Sequence, residues 1–60
     1  MIDIKKLTES DINRKVIYKS HPSAASEEGR ITSFNTKFIF VDYQNVGRGQ
    51  ATLPEKLNFI

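Results

Sequence analysis

The sequence contains no cysteine, a single histidine, His21, and no apolar run of the roughly 18 residues that a membrane-spanning helix needs. Without cysteine there are no disulfides and no thiolate zinc ligands, and one histidine beside a proline is too little for a dedicated metal site. The N-terminus lacks the continuous apolar core of a signal peptide. These absences predict a cytoplasmic protein with no metal, no cofactor and no membrane partner.

The chain is also too short for most enzymes. Its 60 residues form one domain, residues 1–60, and a chain of this size buries only roughly 60% of the surface it exposes when unfolded. His21 has no carboxylate placed to orient it, and Glu27 and Glu28 are neighbours in a loop rather than a pair across a cleft. The inventory therefore predicts a protein that is not an enzyme.

The charge balance permits an anionic partner without indicating one. Nine Lys and Arg against seven Asp and Glu give a formal charge of +2. The cations are spread along the chain, whereas nucleic-acid-binding domains usually cluster them. A solvated mixed surface explains the same pattern.

An N-terminal segment, residues 1–13, carries the signals of one helical turn. Thr8 can cap the Asp11 amide, and Leu7 and Ile12 stand at the positions of a hydrophobic staple. Asn13 ends the turn. The alternating residues 14–20 then predict a first strand with Val16 and Tyr18 pointing inward.

Residues 21–28 read as a long loop, after which residues 30–34 and 38–43 predict a hairpin. A two-residue loop would mix polar and apolar side chains on both faces, so a three-residue loop, 35–37, is favoured. That register pairs Arg30 with Asp42. It places these residues on the inner face: Ile31, Ser33, Ile39, Val41 and Tyr43. It leaves three rings on the outer face: Phe34, Phe38 and Phe40.

The remainder reads as a glycine-containing turn over residues 44–49, a short strand over 50–53, a 3₁₀ turn over 54–57 and a last strand over 58–60. Pro54 lacks an amide donor, which favours an element that ends at Leu53. The sequence thus predicts a mainly β fold of five strands, with one helical turn at the N-terminus and a 3₁₀ turn before the last strand.

This order of elements resembles the SH3-like small barrels, including Tudor domains, over residues 12–60. The stretch from Phe40 to Asn45 looks like the Phe-x-Asp-Tyr-Gly-Asn motif of Tudor domains, with Gln44 in place of the glycine. The segments EEGRITSFN, KFIFVDY and ATLPEKLNFI also resemble short uncharacterised proteins of phages and prophages. The resemblance implies a five-stranded SH3-like barrel and an accessory protein acting on a host or phage partner.

The outer phenylalanines lead to the functional hypothesis. Either the N-terminal residues Ile2, Ile4 and Leu7 cover these rings, or another molecule does. A protein partner or a second copy of the chain is the first choice, and RNA or single-stranded nucleic acid, stacked on the rings, is the alternative. The predicted binding residues are Phe34, Phe38, Phe40, Arg30, Lys37, Asp42, Tyr43 and Arg48. A Tudor-type cage would use Tyr43 and Phe40 as two walls, but its other walls are missing.

Overall fold

A computed structural model describes residues 1–43 and 47–60. It contains five antiparallel strands, which are β1 (Lys15–Tyr18), β2 (Glu27–Phe34), β3 (Ile39–Asp42), β4 (Gln50–Thr52) and β5 (Leu57–Phe59). Single 3₁₀ turns cover Ile4–Lys6, Glu9–Asp11 and Pro54–Lys56. The strands form one sheet in the order β4-β3-β2-β1-β5, so β4 and β5 are its edges. The predicted mainly β fold with five strands is confirmed.

The N-terminal turn forms where the capping signals placed it. The Thr8 amide donates to Asp11 Oδ2 at 2.9 Å, and Arg14 Nη1 donates to Asp11 Oδ1 at 3.0 Å. These two contacts, the Thr8 amide first, lower the pKa of Asp11. Asn13 ends the turn with φ at 76°, a left-handed conformation that asparagine tolerates better than most residues. The turn at Ile4–Lys6, where Asp3 caps the Lys5 amide at 3.0 Å, was not predicted.

The second strand begins at Glu27, three residues before its predicted start at Arg30. Its first residues pair with β1, because Tyr18 lies opposite Glu27 and Lys15 lies opposite Arg30. Charged side chains are compatible with this position, since a strand with one solvated face needs apolar residues on the other face only. The predicted loop over residues 21–28 was therefore too long at its C-terminal end.

The predicted register of the hairpin is correct at the end far from the turn and wrong near the turn. Arg30 lies opposite Asp42 as predicted, but Phe34 lies opposite Ile39 and the register shifts between Ile31 and Ser33. The shift is a β-bulge, which places an extra residue in β2 and changes which side chains face the core. Ser33 is exposed and Phe34 packs against the core, so the predicted orientations of both residues are wrong.

The asparagine in the turn explains this difference. Asn35 Oδ1 accepts from the amides of Lys37 and Phe38, both at 2.8 Å, and the Asn35 amide donates to the Phe38 carbonyl at 3.0 Å. These bonds close a four-residue loop, 35–38, instead of the predicted three-residue loop. An asparagine side chain that mimics a backbone turn is a local preference that strand alternation does not reveal.

The core lies on one face of the sheet and includes the N-terminal segment. Its buried side chains are Ile2, Val16, Ile31, Ile39, Val41 and Leu57, and those packed against them include Ile4, Leu7 and Phe34. The Ile2 amide donates to the Pro54 carbonyl at 3.1 Å, which fixes the start of the segment. The N-terminal residues thus join the same core as Phe34. Among the described residues, the helical elements are single 3₁₀ turns, and no helix has the length and apolarity to cross a membrane.

Candidate binding groove

Two tyrosines from different strands meet at one end of the core. The Tyr18 and Tyr43 ring centroids lie 5.9 Å apart with the planes inclined at 64°, an edge-to-face arrangement. Tyr18 ends β1 and Tyr43 follows β3. Both strands flank β2, so the two rings approach each other across that strand.

Gly29 of β2 makes this approach possible. A Cβ atom at Gly29 would lie 2.5 Å from Val41 Cγ1, 3.0 Å from Tyr43 Cδ1 and 3.0 Å from the Asp42 carbonyl oxygen. Any side chain here would displace the Tyr43 ring or the Val41 methyl group. Gly29 is therefore required for a close approach, which is one of the recognised uses of glycine inside a strand.

The Tyr43 hydroxyl is fixed by a short chain of hydrogen bonds. Thr52 Oγ1 donates to the Gln50 carbonyl at 3.1 Å, and a hydroxyl has only one proton to donate. Thr52 must therefore accept from the Tyr43 hydroxyl, whose oxygen lies 2.7 Å away. Burial raises the pKa of Tyr43, so the phenol stays protonated and keeps its role as donor.

Tyr43 separates two surface depressions. One, of about 270 Å³, is lined by Lys15, Glu28, Gly29, Arg30, Asp42 and Tyr43. The other, of about 300 Å³, is lined by Tyr18, Tyr43, Gln50, Ala51, Thr52, Leu53 and Lys56. We call the two together the tyrosine groove, the first the charged end and the second the tyrosine pocket.

The two ends of the groove differ in chemistry. The charged end carries two cations, Lys15 and Arg30, and two carboxylates, Glu28 and Asp42. The tyrosine pocket combines two aromatic rings with Leu53, which is 45% exposed and is one of the few large apolar side chains in the described residues that face solvent. An aromatic and aliphatic centre beside a polar margin is the usual anatomy of a protein interface.

The predicted binding residues are distributed over several surfaces. Three of them, Arg30, Asp42 and Tyr43, come together at the charged end of the groove. Phe34 instead lines an apolar depression of about 470 Å³ with Ile4, Lys5, Asn35 and Thr36. Lys37 and Arg48 are exposed and do not line the groove.

The two remaining phenylalanines, Phe38 and Phe40, are half-buried. Phe40 lies under Gly49, because a Cβ atom at Gly49 would be 2.8 Å from Phe40 Cβ and would collide with Thr32 Oγ1. Thr32 Oγ1 in turn donates to the Phe40 carbonyl at 3.1 Å. The outer aromatic cluster is thus smaller than predicted, because Phe34 packs against the core and Gly49 lies close to Phe40.

The Tudor-type pairing of Tyr43 with Phe40 is wrong in this structure. Tyr43 packs against the core, whereas Phe40 lies beside Thr32 and Gly49 on the other face. The ring beside Tyr43 belongs to Tyr18, which the alternation of β1 had already placed on the inner face. Gln44 and Asn45, which complete the Tudor-like stretch, lie outside the described residues.

Sequence reasoning missed nine of the twelve residues that line the groove. Four of the nine determine its shape: Tyr18, Gly29, Thr52 and Leu53. Only Tyr18 gave a usable signal, because it and Tyr43 were both predicted to face inward. The closeness of Gly29 to Tyr43 depends on the exact register of β2, and the role of Thr52 depends on a side-chain hydrogen bond. The pattern of apolar residues predicts neither the Gly29–Tyr43 contact nor the Thr52 hydrogen bond.

No metal site or relative adds to this description. Among residues 1–43 and 47–60, no group of three or more His, Asp or Glu side chains is placed to hold a metal ion. His21 Nδ1 lies 2.9 Å from Ser23 Oγ in an exposed loop. Comparisons with protein-family models, curated proteins and solved structures find no match.

Proposed function

We propose that the chain is a non-enzymatic binding module whose tyrosine groove binds a segment of a protein partner. The observation that carries this proposal is the Tyr18–Tyr43 pair beside the exposed Leu53, with charges of both signs at the other end of the groove. Tyrosine is enriched at the energetic centres of interfaces, where it offers a large apolar surface and a polar tip.

The fold assigned with this proposal is an SH3-like small barrel. The five strands and the 3₁₀ turn between β4 and β5 support it, since both agree with the order of elements inferred from the sequence. The resemblance to phage and prophage proteins further suggests an accessory protein that acts in the cytoplasm. Small modules of this kind bind through shape and a few anchoring side chains rather than through a deep cavity.

A protein partner fits the groove better than a nucleic acid does. A polyanion would meet the carboxylates of Glu28 and Asp42 beside the cations Lys15 and Arg30. Phe34, one of the three rings predicted to stack with bases, also packs against the core. A protein segment can match charges of both signs, and mixed charges give an interface its specificity.

Catalysis has little support in the same groove. In the described part of the chain, the hydroxyls of Tyr43 and Thr52 bond to each other and to the Gln50 carbonyl, and no imidazole or carboxylate there activates either as a nucleophile. His21 lies in a different depression, with Ser20, Pro22 and Glu55 among its neighbours.

Selection from a random peptide library displayed on phage, with the intact chain immobilised, tests the proposal. The dissociation constant of each selected peptide is then measured for the wild type, Leu53→Ala and the matched control Ile60→Ala. Leu53 is 45% and Ile60 65% exposed, so neither change should disturb the core. We expect Leu53→Ala to weaken binding about tenfold and Ile60→Ala to have little effect.

Two further measurements separate the other hypotheses. Light scattering of the unliganded chain detects a stable homodimer, and fluorescence polarisation with a random single strand at two salt concentrations detects nucleic-acid binding. Tight strand binding that weakens steeply with salt would favour the nucleic-acid alternative. Equal affinity of Leu53→Ala and wild type for every selected peptide would contradict the proposed use of the groove.

A further inference from the structure

Strand β4 is an edge of the sheet that is guarded by its short length of three residues and not by charge or proline. It pairs with β3 on one side, and on its other side no strand of the described residues pairs with it. Natural sheets guard such edges with charged side chains, prolines or bulges against unwanted pairing. The three residues Gln50–Thr52 carry no charge and no proline. Without charge or proline, such an edge offers its backbone groups to an added strand over three residues.

The hydrogen-bond pattern of the β2–β3 hairpin gives the direction of the backbone groups in β3. The Asn35 amide bonds to the Phe38 carbonyl, which makes these two residues a hydrogen-bonded pair. Such pairs alternate along an antiparallel ladder, so Phe34 and Ile39 form a non-bonded pair and Ser33 and Phe40 a bonded pair. The backbone groups of Phe40 therefore point to β2.

The same alternation then fixes which residue of β4 faces outward. Because Phe40 bonds to β2, its neighbours Ile39 and Val41 bond to β4, opposite Thr52 and Gln50. The backbone groups of Thr52 and Gln50 thus point to β3. The amide and carbonyl of Ala51 point the other way, to the open edge.

The tyrosine pocket lies along this edge. Its lining includes Gln50, Ala51, Thr52 and Leu53 from β4 and the residue after it, together with both tyrosines. Side chains alternate along a strand, and Thr52 is buried beside Tyr43. A residue paired with Ala51 would therefore have neighbours, opposite Gln50 and Thr52, whose side chains point toward the tyrosine side.

The charges match an uncharged segment. The described residues that line the pocket include no carboxylate and one cation, Lys56, whose Nζ donates to the Ser20 carbonyl at 2.7 Å. A phosphate backbone would find only this one cation, already donating to a carbonyl, among the described lining residues, whereas an aliphatic or aromatic side chain would find two rings and Leu53. The lining and the edge thus favour the same kind of ligand.

We propose that the partner segment binds as an extended strand added to β4, with its backbone bonded to Ala51 and an apolar side chain in the tyrosine pocket. This inference rests on the proposed function and specifies the class of partner. Backbone hydrogen bonds would supply affinity, and the pocket would select alternate side chains of the bound segment.

A backbone methylation series of one peptide selected from the random library tests the added strand. Each residue of the peptide is N-methylated in turn, and affinity for the wild-type chain is measured by fluorescence polarisation. A methyl group on the amide that donates to Ala51 should weaken binding about two- to tenfold or more, since it removes one hydrogen bond and adds bulk at the interface. Methylation of the adjacent amides, which point to solvent, should change affinity little.

Amide hydrogen exchange of the intact chain gives an independent measurement. In the free protein the Ala51 amide should exchange rapidly, and the bound peptide should slow it at least tenfold while the already paired Gln50 and Thr52 amides change less. A peptide that requires Leu53 but leaves Ala51 exchange unchanged would overturn the added strand and leave the proposed function intact. Peptides that bind without requiring Leu53 would overturn both.

Discussion

Replacing Gly29 by alanine should destabilise the fold and disturb the tyrosine groove together. The new Cβ would lie 2.5 Å from Val41 Cγ1 and 3.0 Å from both Tyr43 Cδ1 and the Asp42 carbonyl oxygen. Two of these three atoms belong to side chains, but Val41 is fully buried and cannot turn into solvent. The strain must therefore be taken up by the β2–β3 pairing or by the Tyr43 ring.

The expected size follows from overpacking of a core. Inserting a methyl group into a well-packed site costs about 1–3 kcal/mol, and the gain from replacing a glycine in a strand, roughly 0.5–1 kcal/mol, offsets part of it. The difference is about 0–2.5 kcal/mol, and because the buried Val41 cannot turn away we expect a net loss of about 1–2 kcal/mol. A 60-residue domain has a total stability of about 3–9 kcal/mol, so the melting temperature should fall by about 4–16 °C.

Thermal unfolding followed by circular dichroism measures this loss, with Glu28→Ala as the matched control on the preceding exposed residue. Glu28→Ala should change the stability by no more than about 0.5 kcal/mol. Val41→Ala removes the methyl group nearest the new Cβ, so the double variant Gly29→Ala/Val41→Ala should be more stable than the sum of the single effects predicts. Equal melting temperatures for Gly29→Ala and Glu28→Ala would refute the close approach of β2 and Tyr43.

Three further variants test separate features. Asn13→Ala should be less stable than Asn13→Gly by about 1 kcal/mol, because φ at residue 13 is 76°; equal denaturant midpoints would contradict this. Tyr43→Phe should lose about 1 kcal/mol with the Thr52 hydrogen bond. The folded-state pKa of Tyr43 is raised above 10.0, so its contribution to the free energy of unfolding is complete below pH 10.0 and is lost as the pH rises through the folded-state pKa. Tyr43→Phe should therefore lose less stability at alkaline pH than the wild type does. The folded-state pKa of Asp11 is lowered below 3.8, so its contribution to the free energy of unfolding is lost as the pH falls through that pKa. Asp11→Asn should therefore lose less stability at acid pH than the wild type does. An unchanged midpoint of acid unfolding would contradict this.

Most elements follow from local patterns in the sequence, whereas the site does not. Alternation in β1 and the capping signals of Thr8 and Asp11 are local, and both predictions are confirmed. The inward positions of Ile31, Ile39 and Val41 are also confirmed, because an apolar strand residue has a strong preference for the core. These features depend on residues close together in the chain.

The orientation of Phe34 could not be predicted, because it depends on a bulge that Asn35 helps to set through its side chain. The pairing of Tyr18 with Tyr43 depends on the space above Gly29, which arises only when three strands are assembled. The candidate site therefore lies at the inner tyrosines and not on the predicted outer phenylalanine face. The shift of one residue in register exchanged the orientations of Ser33 and Phe34 only, and both tyrosines kept the inward positions predicted for them.

Chemical-shift mapping of a selected peptide on the intact, isotope-labelled chain tests the central claim most directly. The tyrosine groove predicts that the largest amide and ring shifts occur at Tyr18, Tyr43, Ala51 and Leu53. Shifts confined to Phe38, Phe40 and Lys37, with these four residues unchanged, would contradict it and return the binding site to the outer phenylalanine face.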